Sequence, residues 1–156
     1  MTALAIVIRE DDLSGAPARD LLRLHLEGMH ASSPADGVFA LDLSALRHPS
    51  IEVWTAWEGQ AIAGIAALRS LGPRHGEIKS MRTHPAFLRR GVGAALLDHI
   101  IAIARGRGFA RLSLETGSGE AFDPALALYR TRRFAEGDAF GEYSKSAFNR
   151  FLHLDL

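Results

Sequence analysis

The sequence predicts an α/β domain built on a mixed sheet, and three observations carry that reading. Three β-prone segments follow one another in mid-chain. From there to the C-terminus, helical and strand patterns alternate. The whole order reads β–α–α–β–β–β–α–β–α–β–β, about seven strands with about four helices, the pattern of an α/β fold. A length of 156 residues suits a single domain over 1–156, large enough to bury roughly two-thirds of the unfolded chain's surface.

Each element has its own local reason. Leu4 to Arg9 alternates weakly and is β-prone, the first strand. Ala18, Leu21, Leu22, Leu24 and Leu26 recur at helical spacing, a helix over Ala16 to Met29 with Ser14 as N-cap. Ser32, Ser33 and Pro34 break it, and residues 36–46 leave room for a second short helix. Ile51 to Trp57 and Ala61 to Leu68 are strands joined by a Glu58-Gly59-Gln60 turn. Glu77 to Thr83 is the fourth strand, stopped by His84-Pro85. A long helix follows, with Ala94, Ala95, Leu96, Leu97, Ile100, Ile101, Ile103 and Ala104 on its apolar face, ended by Gly106 and Gly108. Ala110 to Thr116 is the fifth strand. Asp123 at N-cap and Pro124 at N1 open a helix to about Arg132. Phe134 to Phe140 and Phe148 to Leu154 read as closing strands around a Gly-Glu-Tyr-Ser-Lys-Ser loop.

Composition narrows the chemistry. The absence of cysteine excludes disulfides, thiolate metal sites and a cysteine-linked intermediate, and fits a reducing, cytoplasmic setting. No apolar run is long enough to span a membrane, and the apolar N-terminal stretch runs straight into acids, as a strand rather than a signal peptide. Net charge is zero but uneven: residues 1–78 carry 6 Lys/Arg against 10 Asp/Glu, residues 79–156 carry 12 against 8. A basic second half suits a small polyanion or is a solvated arginine-rich surface. It contains no basic block with interleaved aromatics, so no nucleic-acid partner is expected. The 7 histidines show no metal-ligand pairing, so no metal is expected either. Trp54 and Trp57, three apart in a strand, face opposite sides as core or interface.

The most informative segment is THPAFLRRGVGAALLDHI, Thr83 to Ile100. A strand ends, a tight turn follows and a helix begins inside a glycine motif. Unpaired N–H groups at a helix start, aided by the helix dipole, form an anion site. Glycines at 91 and 93 allow close approach to the main chain, and Arg89 and Arg90 add charge at the rim. A diphosphate is the natural guest. A turn whose glycines only relieve crowding is the alternative. A Walker loop is set aside because Ala94-Ala95 stand where Lys-Ser or Lys-Thr is needed. A dinucleotide fingerprint is set aside because Leu96 takes the sixth position.

At LRRGVGAALL the chain resembles the GNAT superfamily of N-acetyltransferases, whose pyrophosphate loop has the form Arg/Gln-x-x-Gly-x-Gly/Ala. Leu88 fills the usual Arg/Gln slot, with an arginine displaced by one. RTHPAF resembles the family's strand-end Val-His-Pro-x-Tyr. DPALALYRTRRF is similar to its Ala-x-x-Leu-Tyr-x-x-x-Gly-Phe, with Arg133 where glycine is usual. GEIKSMRTHP and LSLETGS resemble a subgroup of small bacterial acetyltransferases called YsnE-like.

This resemblance implies a mostly antiparallel sheet splayed between strands 4 and 5. It implies acetyl-CoA as co-substrate, its pantetheine lying along the main chain of Met81, Arg82 and Thr83 and its diphosphate on Arg89, Arg90, Gly91, Val92, Gly93 and Ala94. It further implies Tyr129 as the acid that meets the leaving thiolate, a phenol with an ordinary pKa near ~10 being a suitable donor. A tyrosine packed at a helix–sheet seam is the alternative. Glu77 is the candidate base, as in some relatives, with His75, His84, Glu115 and a water chain as rivals. Without cysteine, direct attack of an amine in a ternary complex is expected. Lys79 and Arg82 are candidates to bind a carboxylate on the acceptor, or are ordinary strand cations. Simple alternation puts Glu77, Lys79 and Met81 on one face and Arg82 on the other, unless a bulge intervenes. The expected function is transfer of acetyl to a small-molecule amine. The alternatives are a protein or peptide acetyltransferase, a non-catalytic acyl-CoA sensor, and a homodimer with Trp54, Phe140 and Phe148 in its interface.

Overall fold

The computed structural model describes residues 5–38 and 41–156. One sheet organises them, with strand order β1-β2-β3-β4-β5-β7-β6. The strands are β1 (Val7–Glu10), β2 (Ile51–Glu58), β3 (Ala61–Gly72), β4 (His75–Thr83), β5 (Arg111–Thr116), β6 (Ala135–Glu136) and β7 (Arg150–Asp155). Neighbours are antiparallel except β4 and β5, which run parallel. The helices are α1 (Ala16–Ser32), α2 (Leu43–Leu46), α3 (Val92–Gly106) and α4 (Asp123–Thr131). This is the mixed, mostly antiparallel sheet with four helices that the sequence predicts.

The sheet carries a core on each side. On one face, α3 and α4 pack on Ala63, Ala66, Leu68, Ile78, Leu112 and Leu114. Leu96, Leu97 and Ile100 of α3 are fully buried there, each stabilising by about 1.5–3 kcal/mol. On the other face, Ala18, Leu21 and Leu22 of α1 pack with Leu46 on Val53, Trp57, Ile65 and Ala67. Trp54 and Trp57 do lie on opposite sides, one in each core.

Several boundaries differ from the sequence expectation for physical reasons. Leu4 and residues 39–40 lie outside the described residues, so the start of the first strand and the middle of the 36–46 helix do too. Within that stretch a 3-10 turn covers Ala35–Gly37, and only Leu43–Leu46 is α-helical, capped by the Asp42 side chain. The α1 N-cap is Gly15, without a side-chain bond, and not Ser14, whose N–H is held by Asp12 Oδ1 at 2.9 Å. The helix runs on to Ser32 because nothing breaks it before Pro34, which forces Ser33 into extended backbone (ψ 148°). Asp123 is the first helical residue rather than the cap, because a 3-10 turn over Glu120–Phe122 runs into α4. The closing strands are short: after Glu136 the chain leaves the sheet, and a Cβ on Gly137 would stand 2.7 Å from the His153 ring. Trp54 is only 4% exposed, so it is core and not an interface residue. Phe140 and Phe148 are half-buried, packed edge-on against Phe151 and Phe122.

Candidate active site

The first turn of α3 is bare. Its N-cap, Gly91, has φ 82° and no side-chain cap bond, a conformation that costs a non-glycine residue about 1–2 kcal/mol. The first helical bond runs from Ala95 N–H to the Gly91 carbonyl at 3.0 Å, so the N–H groups of Val92, Gly93 and Ala94 have no partner within the helix. Gly93 is placed between β4 and α4: a Cβ there would stand 3.2 Å from Leu128 Cδ2 and 3.6 Å from Thr83 Oγ1. The turn sits close to the sheet because Gly64 of β3 has no side chain, where a Cβ would come within 2.8 Å of Val92 Cγ1. Arg89 (φ 62°) and Arg90 are exposed at the rim. Arg90 pairs with Glu58 at 3.5 Å and lies over the Phe87 ring, whereas Arg89 has no ion pair among the described residues. Leu88 is 58% exposed, so the displaced arginine frame leaves an apolar side chain at the surface.

Beside this turn the sheet opens. β4 and β5 pair only at His75↔Arg111, Gly76↔Leu112 and Glu77↔Ser113. Beyond Glu77, β4 stays on β3 while β5 follows β7 to Thr116↔Arg150. The β5-facing edge of β4 from Ile78 to Thr83 therefore has no strand partner among the described residues. An unpaired edge of this kind accepts an extended ligand.

A bulge lies along that edge. Lys79 pairs with Ala67 and Arg82 with Ile65, so Ser80 and Met81 together oppose Ala66. Ser80 has φ 57°, and its buried Oγ has no hydrogen-bond partner. A bulge resets the alternation of side chains. Simple alternation would turn Arg82 away from Glu77 and Lys79 unless a bulge intervened, and this is that bulge: Ile65 and Ala67 are two apart, so all three side chains share the α1 face.

On that face the apex of the split holds a buried polar cluster. Glu77 is 1% exposed. Its Oε2 accepts from Lys79 Nζ at 3.3 Å and from the Tyr143 hydroxyl at 2.5 Å, and Lys79 Nζ also donates to the Tyr143 oxygen at 2.7 Å. Burial, then the Glu77 carboxylate, pushes the Tyr143 phenol up. Glu115 of β5 lies nearby. Burial raises its pKa to about 7, with Glu77 adding to the rise and Lys79 opposing it. Next to them a chain of hydrogen bonds crosses three strands. The Asp138 carbonyl only accepts, so His153 donates Nε2–H to it at 2.8 Å. The His153 Nδ1 is hydrogen-bonded to Ser113 Oγ at 2.7 Å, and the same Oγ to His75 Nε2 at 2.7 Å. This chain joins β4, β5 and β7 and ties down the start of the loop that carries Tyr143. His84 caps its own turn, accepting from Ala86 N–H at 3.0 Å.

Tyr129 lies on the opposite face, in the core beneath α4, with its ring 5.8 Å from that of Phe134. Burial pushes its pKa to about 12, so it is a protonated phenol at neutral pH. Its hydroxyl has no hydrogen bond among the described residues.

Sequence reasoning reached Glu77, Lys79, Arg82, Tyr129 and the glycine turn. It missed Tyr143, which it left in a loop, and the His75–Ser113–His153 chain, because both depend on contacts between residues about 40 or more apart. One signal for the bulge was present: polar residues at 77, 79 and 82 break strict alternation.

A parallel strand pair that splits beside an uncapped helix N-terminus puts an extended edge next to an anion site, the arrangement suited to a long ligand with a phosphate group. The sequence comparisons agree. The Acetyltransferase (GNAT) family profile matches residues 18–134. The chain is 43% identical over 149 residues to the uncharacterised N-acetyltransferase YedL of Escherichia coli, covering 96% of this chain and 94% of that one. It is 46% identical over 145 residues to the uncharacterised N-acetyltransferase YsnE of Bacillus subtilis, covering 93% and 96%. In fold it is similar to an acyl-CoA N-acyltransferase from Klebsiella pneumoniae (TM-score 0.82, 24% identity, covering 98% and 99%). It is also similar to a GNAT acetyltransferase from Elizabethkingia anophelis solved with acetyl-CoA bound (TM-score 0.71, 21% identity, covering 97% and 98%). The chain belongs to the GNAT acetyltransferase family, in the YsnE-like group, and is an acyl-CoA-dependent N-acetyltransferase.

Proposed function

We propose that the chain moves acetyl from acetyl-CoA to the primary amine of a small molecule by direct attack in a ternary complex. The observation that carries this is the loss of β4–β5 pairing after Glu77↔Ser113 beside the bare α3 turn. The residues present fit acetyl-CoA: N–H groups of Val92, Gly93 and Ala94 suit a diphosphate, Arg89 and Arg90 add charge, and the edge from Met81 to Thr83 suits pantetheine. When bound, the co-substrate supplies a thioester carbonyl open to nucleophiles.

The remaining work belongs to the protein. Main-chain N–H groups of the unpaired β4 edge stabilise negative charge on the thioester oxygen. Glu77, at the apex, takes the proton from the amine, directly or through water. Tyr129 gives its hydroxyl proton to the departing sulfur. Because its pKa is about 12, it stays protonated to about pH 10 and produces no alkaline loss of rate below that. The loop that carries Tyr143 closes onto Glu77 and Lys79 through the Tyr143 hydroxyl, and a loop held against the proposed base favours a small acceptor over a peptide.

A thiol-release screen across amines, amino acids and peptides tests this reading. Release with small amines and a roughly hundredfold fall in kcat for Tyr129→Phe are expected. Preference for peptides would move the protein to the other acetyltransferase class, and CoA binding without turnover would make it a sensor.

A further inference from the structure

Lys79 and Arg82 are equal candidates for an acceptor anion in sequence, but their contacts separate them. Lys79 is 9% exposed and already bonded to Glu77 and Tyr143. Arg82 is half-buried, and no acid pairs with it among the described residues. Its guanidinium is held by neutral groups: Nε–H donates to His25 Nδ1 at 2.9 Å and Nη2–H to the His25 carbonyl at 3.4 Å. Burial, then the Arg82 charge, lowers the His25 pKa to about 4, so His25 is uncharged at neutral pH and does not cancel the cation. Gly28 of α1 makes the space, since a Cβ there would stand 2.9 Å from Arg82 Nη2. Nη1 makes no hydrogen bond among the described residues. A cation removed from water without a counter-ion is costly, and an incoming carboxylate offsets that cost.

We propose that Arg82, aimed by His25 and given room by Gly28, anchors a carboxylate on the acceptor, so that the acceptor is an amino acid or a similar carboxylate-bearing amine. This rests on the amine-acetyltransfer reading. Lys79 is left as a partner of Glu77.

The test pairs each standard amino acid with its decarboxylated amine in the thiol-release assay, for wild type, Arg82→Gln, Arg82→Lys and Gly28→Ala. Wild type should prefer the carboxylate member of the best pair. Arg82→Gln should lower the ratio of kcat/KM for the two members by about 10- to 100-fold, the range for a charged hydrogen bond, mainly through KM. Arg82→Lys should restore part of the ratio, and Gly28→Ala should lower it. A wild-type preference for decarboxylated amines, or an equal loss for both members in Arg82→Gln, overturns the anchor. Calorimetric titration with the matching N-acetyl amino acids reads the anchor without turnover: binding to wild type and weaker binding to Arg82→Gln support it, and equal or absent binding overturns it. Thermal melting of each variant separates loss of fold from loss of recognition. If no amine supports thiol release while N-acetyl amino acids still bind through Arg82, the transfer reading fails and the anchor stands.

Discussion

At the residue scale, two side chains sit in environments that conflict with their chemistry. Arg133 follows the α4 C-cap with φ 69°, a left-handed position where the resembled motif has glycine. Arg133→Gly should stabilise the protein by about 1 kcal/mol, measured by urea denaturation; no gain would mean that local contacts repay the strain. Glu115, with its pKa raised to about 7, is the second. In the unfolded chain it ionises near the ordinary value of 4.5. Between these values the folded state holds a proton that the unfolded state has lost, so stability falls as pH rises through this window and levels off above about 7. Glu115→Gln should therefore be more stable than wild type at about pH 8.5, with the advantage shrinking toward about pH 4.5, as chemical denaturation across pH would read. The helix that carries Tyr129 was legible in sequence because its motif is local. Tyr143 was not, because its partners Glu77 and Lys79 lie more than 60 residues away.

At the element scale, the position of α3 depends on β3. Gly64 would place a Cβ 2.8 Å from Val92 Cγ1, 2.9 Å from Leu96 Cδ1 and 3.2 Å from the Arg82 carbonyl. Gly64→Ala should cost about 1–3 kcal/mol through overpacking and raise the KM for acetyl-CoA by displacing the α3 turn, as denaturation and steady-state kinetics would measure. Unchanged values for both would show that the turn is seated elsewhere. Most elements were legible because each carries its own period and punctuation, as the glycine turn into α3 does. The bulge at Ser80 and Met81 was not, since it is defined by register against β3. It nonetheless decides which face Arg82 takes.

At the scale of the whole molecule, both cores share one sheet, so they should unfold together. We expect one transition in calorimetry, coincident by circular dichroism and tryptophan fluorescence, Trp54 and Trp57 reporting one core each. Two separated transitions would contradict a single domain over 1–156. Acetyl-CoA at about a hundredfold excess over its Kd should add about 2.7 kcal/mol. The central claim, that the α3 turn holds a diphosphate and directs a thioester into the β4–β5 split, is tested most directly by a crystal structure with CoA. The account predicts the diphosphate on the N–H groups of Val92 to Ala94 and the pantetheine along Met81 to Thr83. CoA bound elsewhere, with the split closed, would contradict it.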